Sequence, residues 1–274
     1  MYVVATPLGN LGDLTLRARE ILAAADIIAA EDTRRSQRLL DAFGISTRLV
    51  AVHQHNEEEG ATRIVGWLDE GRQVALISDA GTPGISDPGA RVVARVRAAG
   101  HPVTPVPGPC AAIAALSVAG LVEGGFRFVG FLPPKAGARQ AALAELGDEG
   151  DALVFYEAPH RVEACVADMV AVFGSERELL VARELTKLHE EIALMALGAA
   201  PAWFGANPDR LRGEFVLVVR GAPTTRELSA EAIRVLDLLL AELPLKSAVR
   251  LAAEITGAAK NLLYSFALER RAGE

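Results

Sequence analysis

Residues 78–89 read SDAGTPGISDPG and place two carboxylates, Asp79 and Asp87, among three glycines and two prolines directly after the apolar run VALI. Asp79 stands at the carboxyl end of an expected strand with no helix directly behind it. Gly81 and Gly84 beside it let backbone approach a ligand closely, so Asp79 reads as a ligand-facing residue. Asp87 reads differently. Followed by Pro88 and by the apolar face of Val92, Val93 and Val96, it has the form of a helix N-cap with proline at the first helical position. A second concentration, ARELTKLHEE at 182–191, brings Arg183, Glu184, Lys187, His189, Glu190 and Glu191 just past another strand. Such a run is either a solvated face or a catalytic and substrate-contacting group. In HQHNE, His53, His55 and Glu57 lack a further metal ligand, which favours hydrogen-bonded polar groups over a metal site.

These groups need a frame. Strand-like runs at 2–5, 25–30, 48–53, 74–78 and 102–106 alternate with helical patterns at 14–24, 33–43, 57–70, 88–99 and 109–119. That alternation predicts a mostly parallel sheet with helices on both faces, and ligands bind such sheets beyond the carboxyl ends of the strands. The loops to watch are therefore TPLGNLGDLT, EDTRR, HQHNE, SDAGTPGISDPG and PGPCAA, the last with Gly108 at a strand-to-helix turn. Neither G-x-G-x-x-G nor G-x-x-x-x-G-K-[ST] occurs, which weakens the standard dinucleotide and P-loop readings.

Further strands are expected at 127–131, 152–156, 178–183 and 214–219, one of them ending in FYEAPHR with Tyr156 and Glu157. LPPKAGARQ, 132–140, reads as a stiff surface loop. The expected division is an N-terminal α/β domain over 1–112, a C-terminal α/β domain over 113–224 and a helical appendage over 225–274, with helices at 229–241, 246–256 and 259–270. Between Lys246 and Arg271 the appendage holds Lys246, Arg250, Lys260, Arg270 and Arg271 against Glu254 and Glu269. It is either a helical hairpin capping the second domain or a nucleic-acid contact.

The net charge of −7 argues against a protein that coats nucleic acid, and two cysteines outside any Cys/His cluster support neither a disulfide framework nor a zinc site. With no leader pattern and no apolar segment of about 20 residues, a soluble intracellular protein is expected.

The ordered motifs VVATPLGNLGDLTLRAREIL, EDTRRSQRLL, SDAGTPGISDPG, PVPGPCAAIAAL, FYEAPHRV, ARELTKLHEE and GEFVLVV resemble the ribosomal RNA small-subunit methyltransferase I family, a branch of the tetrapyrrole methylase superfamily. The resemblance covers nearly the whole chain. It implies two α/β domains of the class III methyltransferase type with a cofactor cleft between them, and a helix-turn-helix-like appendage that helps hold RNA. It also implies methyl transfer from S-adenosyl-L-methionine to the ribose 2′-hydroxyl of a cytidine in the decoding region of 16S rRNA, in a cytoplasmic, dimeric, metal-free enzyme.

Carried onto this chain, the resemblance places the cofactor against Pro7, Leu8, the loop of Asp79, Gly81, Thr82, Gly84 and Ile85, Cys110, Ala111, Tyr156, and the backbone near Leu185 and Gly213. Cys110 stands where relatives often have serine, and Gln54 where they have glutamate. Candidates for a general base or for orienting the ribose are Asp32, His55, Glu57, Lys187 and Glu190. Arg34, Arg35, Lys246, Arg250 and Lys260 are the expected phosphate contacts. The alternatives are a small-molecule tetrapyrrole methylase of the same superfamily and a non-enzymatic RNA-binding assembly factor.

Overall fold

The structure, a computed structural model, describes residues 1–53, 56–122, 124–223 and 228–272. It separates into two units, Met1–Ala222 and Pro223–Glu274.

Five short parallel strands build the first sheet of the first unit: β1 (Tyr2–Val4), β2 (Ile27–Ala30), β3 (Arg48–Ala51), β4 (Val74–Ile77) and β5 (Thr104–Val106). IIAA of β2 and VALI of β4 are buried at every position, as expected of parallel strands covered on both faces. Helices α1 (Leu16–Ala24) and α2 (Thr33–Ala42) pack on one face around Leu22, Ile28, Leu40 and Ile77. Helices α3 (Glu57–Asp69) and α4 (Ala90–Ala98) pack on the other around Ile64, Leu76, Val92 and Val96. The strand order is β3-β2-β4-β1-β5. Neighbours β1 and β4 therefore send their chains to opposite faces, and a crevice opens over their carboxyl ends.

The second sheet is mixed. Its order is β6-β7-β10-β8-β9, from β6 (Phe126–Phe131), β7 (Ala152–Glu157), β8 (Glu178–Arg183), β9 (Glu191–Ala196) and β10 (Phe215–Val219), and only β6 and β7 run parallel. Helices α6 (Ala136–Ala144), α7 (Val162–Phe173) and α8 (Ala200–Gly205) cover one face around Phe155, Met169, Phe204 and Leu217. The other face takes α5 (Ala111–Ala119), whose Ala112, Ala115 and Ala119 lie against Val154, Leu180, Val216 and Val218. The alanine face allows the helix to sit close to the strands. It also means that the core of the second sheet recruits chain from residue 111 onward.

Three expectations need correction. Helix α4 starts at Ala90, not at residue 88; its N-cap is Gly89 at φ 137°, and Asp87 does not cap it. The segment 132–140 is not all surface loop, because α6 begins within it and Arg139 is buried. Strand β9 was not expected: EIALMA is rich in Ala and Met and, paired only with β8 at a sheet edge, is half exposed, so its pattern is weak.

In the second unit α9 (Ala230–Glu242), α10 (Leu245–Thr256) and α11 (Lys260–Ala272) enclose Leu236, Val249 and Leu263. Gly257, left-handed at φ 71°, ends α10 as the sequence leads one to expect. The unit as a whole carries seven Lys and Arg and seven Asp and Glu. The positive excess after residue 245 is thus offset by α9, whose Asp237 bonds Arg270.

Candidate active site

Loops after β1, β4 and β5 meet strand ends of the second sheet around a cleft of about 340 Å³, within the roughly 300–1,000 Å³ usual for small-molecule sites. Its apolar wall comes from Leu8, Ile85, Phe131, Tyr156, Leu185, Phe215 and Val216, and its polar groups from Asp87, Lys187, Glu214 and the backbone around Gly81, Thr82 and Ala111. Among the described residues, those of the loops after β2 and β3 do not line it. Those strands lie on the far side of β4 from β1, away from the crossover.

The loops are tied together by hydrogen bonds. Thr6 and Gly81 exchange two backbone bonds of 2.9 Å, cross-linking the loops after β1 and β4. The Thr82 hydroxyl donates to the Pro109 carbonyl at 2.9 Å, adding the loop after β5. Gly81 needs its positive φ of 76° for this bridge, and a Cβ there would stand 3.3 Å from Leu8 Cδ2. Across the cleft, β6 shifts register between Phe128 and Gly130, and a Cβ on Gly130 would lie 2.9 Å from Ser86 Oγ. The bulge lets the 78–89 loop approach the second sheet.

Tyr156, on β7, ties the second sheet to the start of α5, the helix that follows β5. Its hydroxyl accepts from the Ala112 amide at 3.0 Å in the first turn of α5, where Cys110 provides no side-chain cap. Burial, and then the neighbouring Cys110, push the phenol above its ordinary range, so it stays neutral. Phe128 and Phe131 meet its ring edge-on, with centroids at 5.0 and 5.8 Å.

A turn at 184–190 closes one side. Glu184 and Thr186, both non-glycine, have φ of 51° and 67°, and Leu185 between them faces the cleft. Backbone strain of this kind is held only where several contacts enforce it. Here Lys187 Nζ donates to Glu184 Oε1 at 2.8 Å and Glu214 Oε2 at 2.9 Å, and Thr186 N donates to Glu190 Oε2 at 2.6 Å. Burial works against the Lys187 charge, but the bonds to Glu184 and Glu214 outweigh it and raise its pKa. Lys187 is therefore a fixed cation.

Of the residues expected at the cofactor, Leu8, Gly81, Thr82, Ile85, Cys110, Ala111, Tyr156 and Leu185 line the cleft; Pro7, Asp79, Gly84 and Gly213 do not. Gly213, at φ 91°, makes room for Glu184 behind the wall. The two aspartates of the 78–89 loop exchange the parts expected of them. Asp79 accepts from the Asp32 amide at 2.9 Å and pairs with Arg35 at 3.4 Å, binding the loop to the start of α2, while Asp87 faces the cleft.

The residues considered for proton transfer are also redistributed. Asp32 is the N-cap of α2, accepting from Arg34 N at 2.8 Å, and these bonds hold its carboxyl below the usual range. Glu57 is buried and caps α4 from α3, accepting from Gly89 N at 2.9 Å and Arg91 N at 3.1 Å. Glu190 clasps the 184–190 turn. Each of these three carboxylates is thus occupied by structure. His55 and Gln54 lie outside the described residues. Among the described residues no group of three or more His, Cys, Asp and Glu side chains is placed to hold a metal ion. Asp87, Phe131, Glu214 and Val216 were missed, and only the position of the last two at the start of a strand facing the cleft pointed to them.

Arg34 is 90% exposed, and among the described residues its ionic partner is its neighbour Asp32, whereas Arg35 pairs with Asp79. In the second unit Lys246, Arg250 and Lys260 are exposed, Arg250 being paired with Glu254 on its own helix at 3.3 Å.

Two sheets meeting at a cleft built from these loops are the architecture of the tetrapyrrole methylase class. Residues 1–201 match the family described as Tetrapyrrole (Corrin/Porphyrin) Methylases, and residues 226–271 match the RsmI C-terminal HTH domain. The fold is shared with the uroporphyrin-III-C-methyltransferase from Thermus thermophilus (TM-score 0.59, 23% identity, 81% of this chain and 94% of that one). It is also shared with the methyltransferase CobJ (TM-score 0.61, 21% identity, 83% and 96%). Curated relatives named Ribosomal RNA small subunit methyltransferase I are 53% identical in Pseudomonas aeruginosa, over 99% of this chain and 97% of that protein, and 50% identical in Escherichia coli O157:H7, over 99% and 95%. The chain belongs to the ribosomal RNA small subunit methyltransferase I family.

Proposed function

We propose that this chain transfers a methyl group from S-adenosyl-L-methionine to the ribose 2′-hydroxyl of a cytidine in the decoding region of 16S rRNA. The observation that carries the reading is the name shared by relatives about half identical over nearly the full length. The cleft fits the cofactor in chemistry as well as size. Phe131, Tyr156, Leu185 and Val216 offer an apolar wall for a purine, and the cross-linked loops bring backbone at Thr82 and Ala111 to the cleft for its polar atoms.

The cofactor supplies a methyl on a positively charged sulfur, already activated for displacement. The work left to the protein is alignment and exclusion of water, and alignment alone contributes on the order of 7–11 kcal/mol. Loops fixed by the Thr6–Gly81 and Thr82–Pro109 bonds keep the site geometry without ordering on binding. The division of labour over 1–112, 113–224 and 225–274 belongs to the proposal, as do a homodimer and a cytoplasmic location. Among the described residues no helix is long and apolar enough to cross a membrane.

Tritiated-methyl transfer to small ribosomal subunits, followed by nucleoside analysis, is expected to place the label in 2′-O-methylcytidine. Label in a tetrapyrrole or in a base, with none in ribose, refutes the reading. The appendage is tested separately. Reversing Lys246 and Arg250 to glutamate should raise the KM for rRNA about tenfold and flatten its salt dependence, with cofactor affinity unchanged. An unchanged KM would remove the second unit from RNA binding.

A further inference from the structure

We propose that Asp87 is the catalytic base that takes the proton of the methyl-accepting hydroxyl. The inference rests on the function just given and assigns one of its steps to a residue.

Three carboxylates line the cleft: Asp87, Glu157 and Glu214. The Glu157 side chain is 0% exposed, accepts from the Ala158 amide at 2.8 Å and pairs with Arg161 at 3.1 Å, so it serves the strand-to-helix turn. Glu214 is bound to Lys187. Asp87 forms no ion pair with a cation among the described residues. Its neighbours are the Ser78 hydroxyl and the carboxylates Glu31 at the end of β2, Asp79 beyond β4 and Glu214 before β10, with Tyr156 and its partner Cys110 across the cleft.

The loop carrying Asp87 is anchored on both sides. Gly81 is bridged to Thr6 before it, Gly89 is bonded to Glu57 after it, and Ser86, at φ 61°, is seated in the Gly130 bulge. This conformation turns Asp87 out of the capping position and into the cleft.

The chemistry suits such a group. The hydroxyl oxygen bonds to the methyl carbon as the carbon–sulfur bond breaks, its electron pair remaining on sulfur, and the hydroxyl proton passes to an Asp87 oxygen and then to solvent. One positive and one negative charge vanish together. A half-buried carboxylate among like charges is relieved by that neutralisation. Burial, followed by the charges of Glu31, Asp79 and Glu214, pushes Asp87 up to about 6, against the opposing effect of the nearby Ser78 hydroxyl. It is then ionised at neutral pH yet more basic than a surface aspartate.

In Asp87→Asn the single-turnover rate of methyl transfer should fall by about 10²–10⁴-fold, with the cofactor Kd from calorimetry within about threefold of wild type. The wild-type rate should climb with pH and level above about 6, and the variant should lack that limb; Asp87→Glu should retain it at an intermediate rate. Thermal melting supplies a readout free of activity. Because the folded-state pKa lies above the unfolded value, the group's contribution to stability is full below about pH 4 and is lost as pH rises through about 6. Asp87→Asn should therefore melt above wild type at pH 8 and lose that advantage at pH 4. Transfer by Asp87→Asn within threefold of wild type, retention of the pH limb, or a loss of cofactor affinity as large as the loss of rate each overturns the assignment. A wild-type enzyme that leaves ribose unmethylated refutes the function itself, whereas wild-type transfer with an unimpaired variant refutes Asp87 alone.

Discussion

Asp168→Ala is expected to destabilise the protein by about 3–5 kcal/mol, the usual cost of removing one partner from a buried ion pair. Arg139 on α6 and Asp168 on α7 are both buried and meet at 2.6 Å. The second carboxylate oxygen accepts from Gln140 Nε2 at 2.6 Å, and Arg139 also donates to the Pro134 carbonyl at 3.3 Å. Alanine leaves a guanidinium with no counter-charge between two helices. Asp168→Asn keeps the shape and some of the bonds and should cost less, and Arg139→Met with Asp168→Leu should lie within about 1–2 kcal/mol of wild type, since well-packed apolar residues replace such pairs at little loss. Urea unfolding monitored by circular dichroism measures all three. A double variant as unstable as Asp168→Ala would mean that the site depends on packing rather than on charge.

Gly9→Ala should cost about 1–3 kcal/mol and lower cofactor affinity about tenfold, although it adds one methyl to an exposed loop. A Cβ at Gly9 would lie 2.2 Å from Lys187 Cγ and 3.0 Å from Cδ and Cε. The lysine stem rests on the glycine, so the methyl displaces it near its root and withdraws the ammonium from Glu184 and Glu214. Gly9 is not in the left-handed region, and the effect is one of space. A thermodynamic cycle isolates it. In a Lys187→Ala background Gly9→Ala should be neutral within about 0.5 kcal/mol, giving a coupling of at least about 0.5 kcal/mol. Equal losses in both backgrounds would show that the loop and not the lysine is disturbed.

Much of the frame was legible because parallel strands buried on both faces leave unbroken apolar runs such as IIAA and VALI, and because glycines such as Gly257 mark helix ends. Strand β9 was not, since an edge strand with one neighbour needs little β-branching. The site was legible as loops and less so as side chains. Asp32 and Asp87 both precede plausible helix starts, and only Asp32 caps one; Glu57, distant in sequence, takes the cap that frees Asp87. Asp79 looked ligand-facing from its place after β4, but its acceptor bonds come from Asp32 and Arg35, residues that become neighbours only when β2 and β4 pair. Such exchanges depend on strand order, which local patterns do not encode.

Strand order also sets a timetable for synthesis. In the first sheet the last strand made, β5, is an edge, so four strands can associate before it leaves the ribosome. In the second sheet the last strand made, β10, lies at the centre, between β7 and β8. That sheet cannot close until roughly 110 residues after β5, a lag of about 5–20 s at 5–20 residues per second. During that interval the nascent chain carries a finished first sheet beside β6, β7, β8 and β9 still lacking their central strand. Ribosome-stalled chains ending before β10 should accordingly recruit chaperones that longer chains do not.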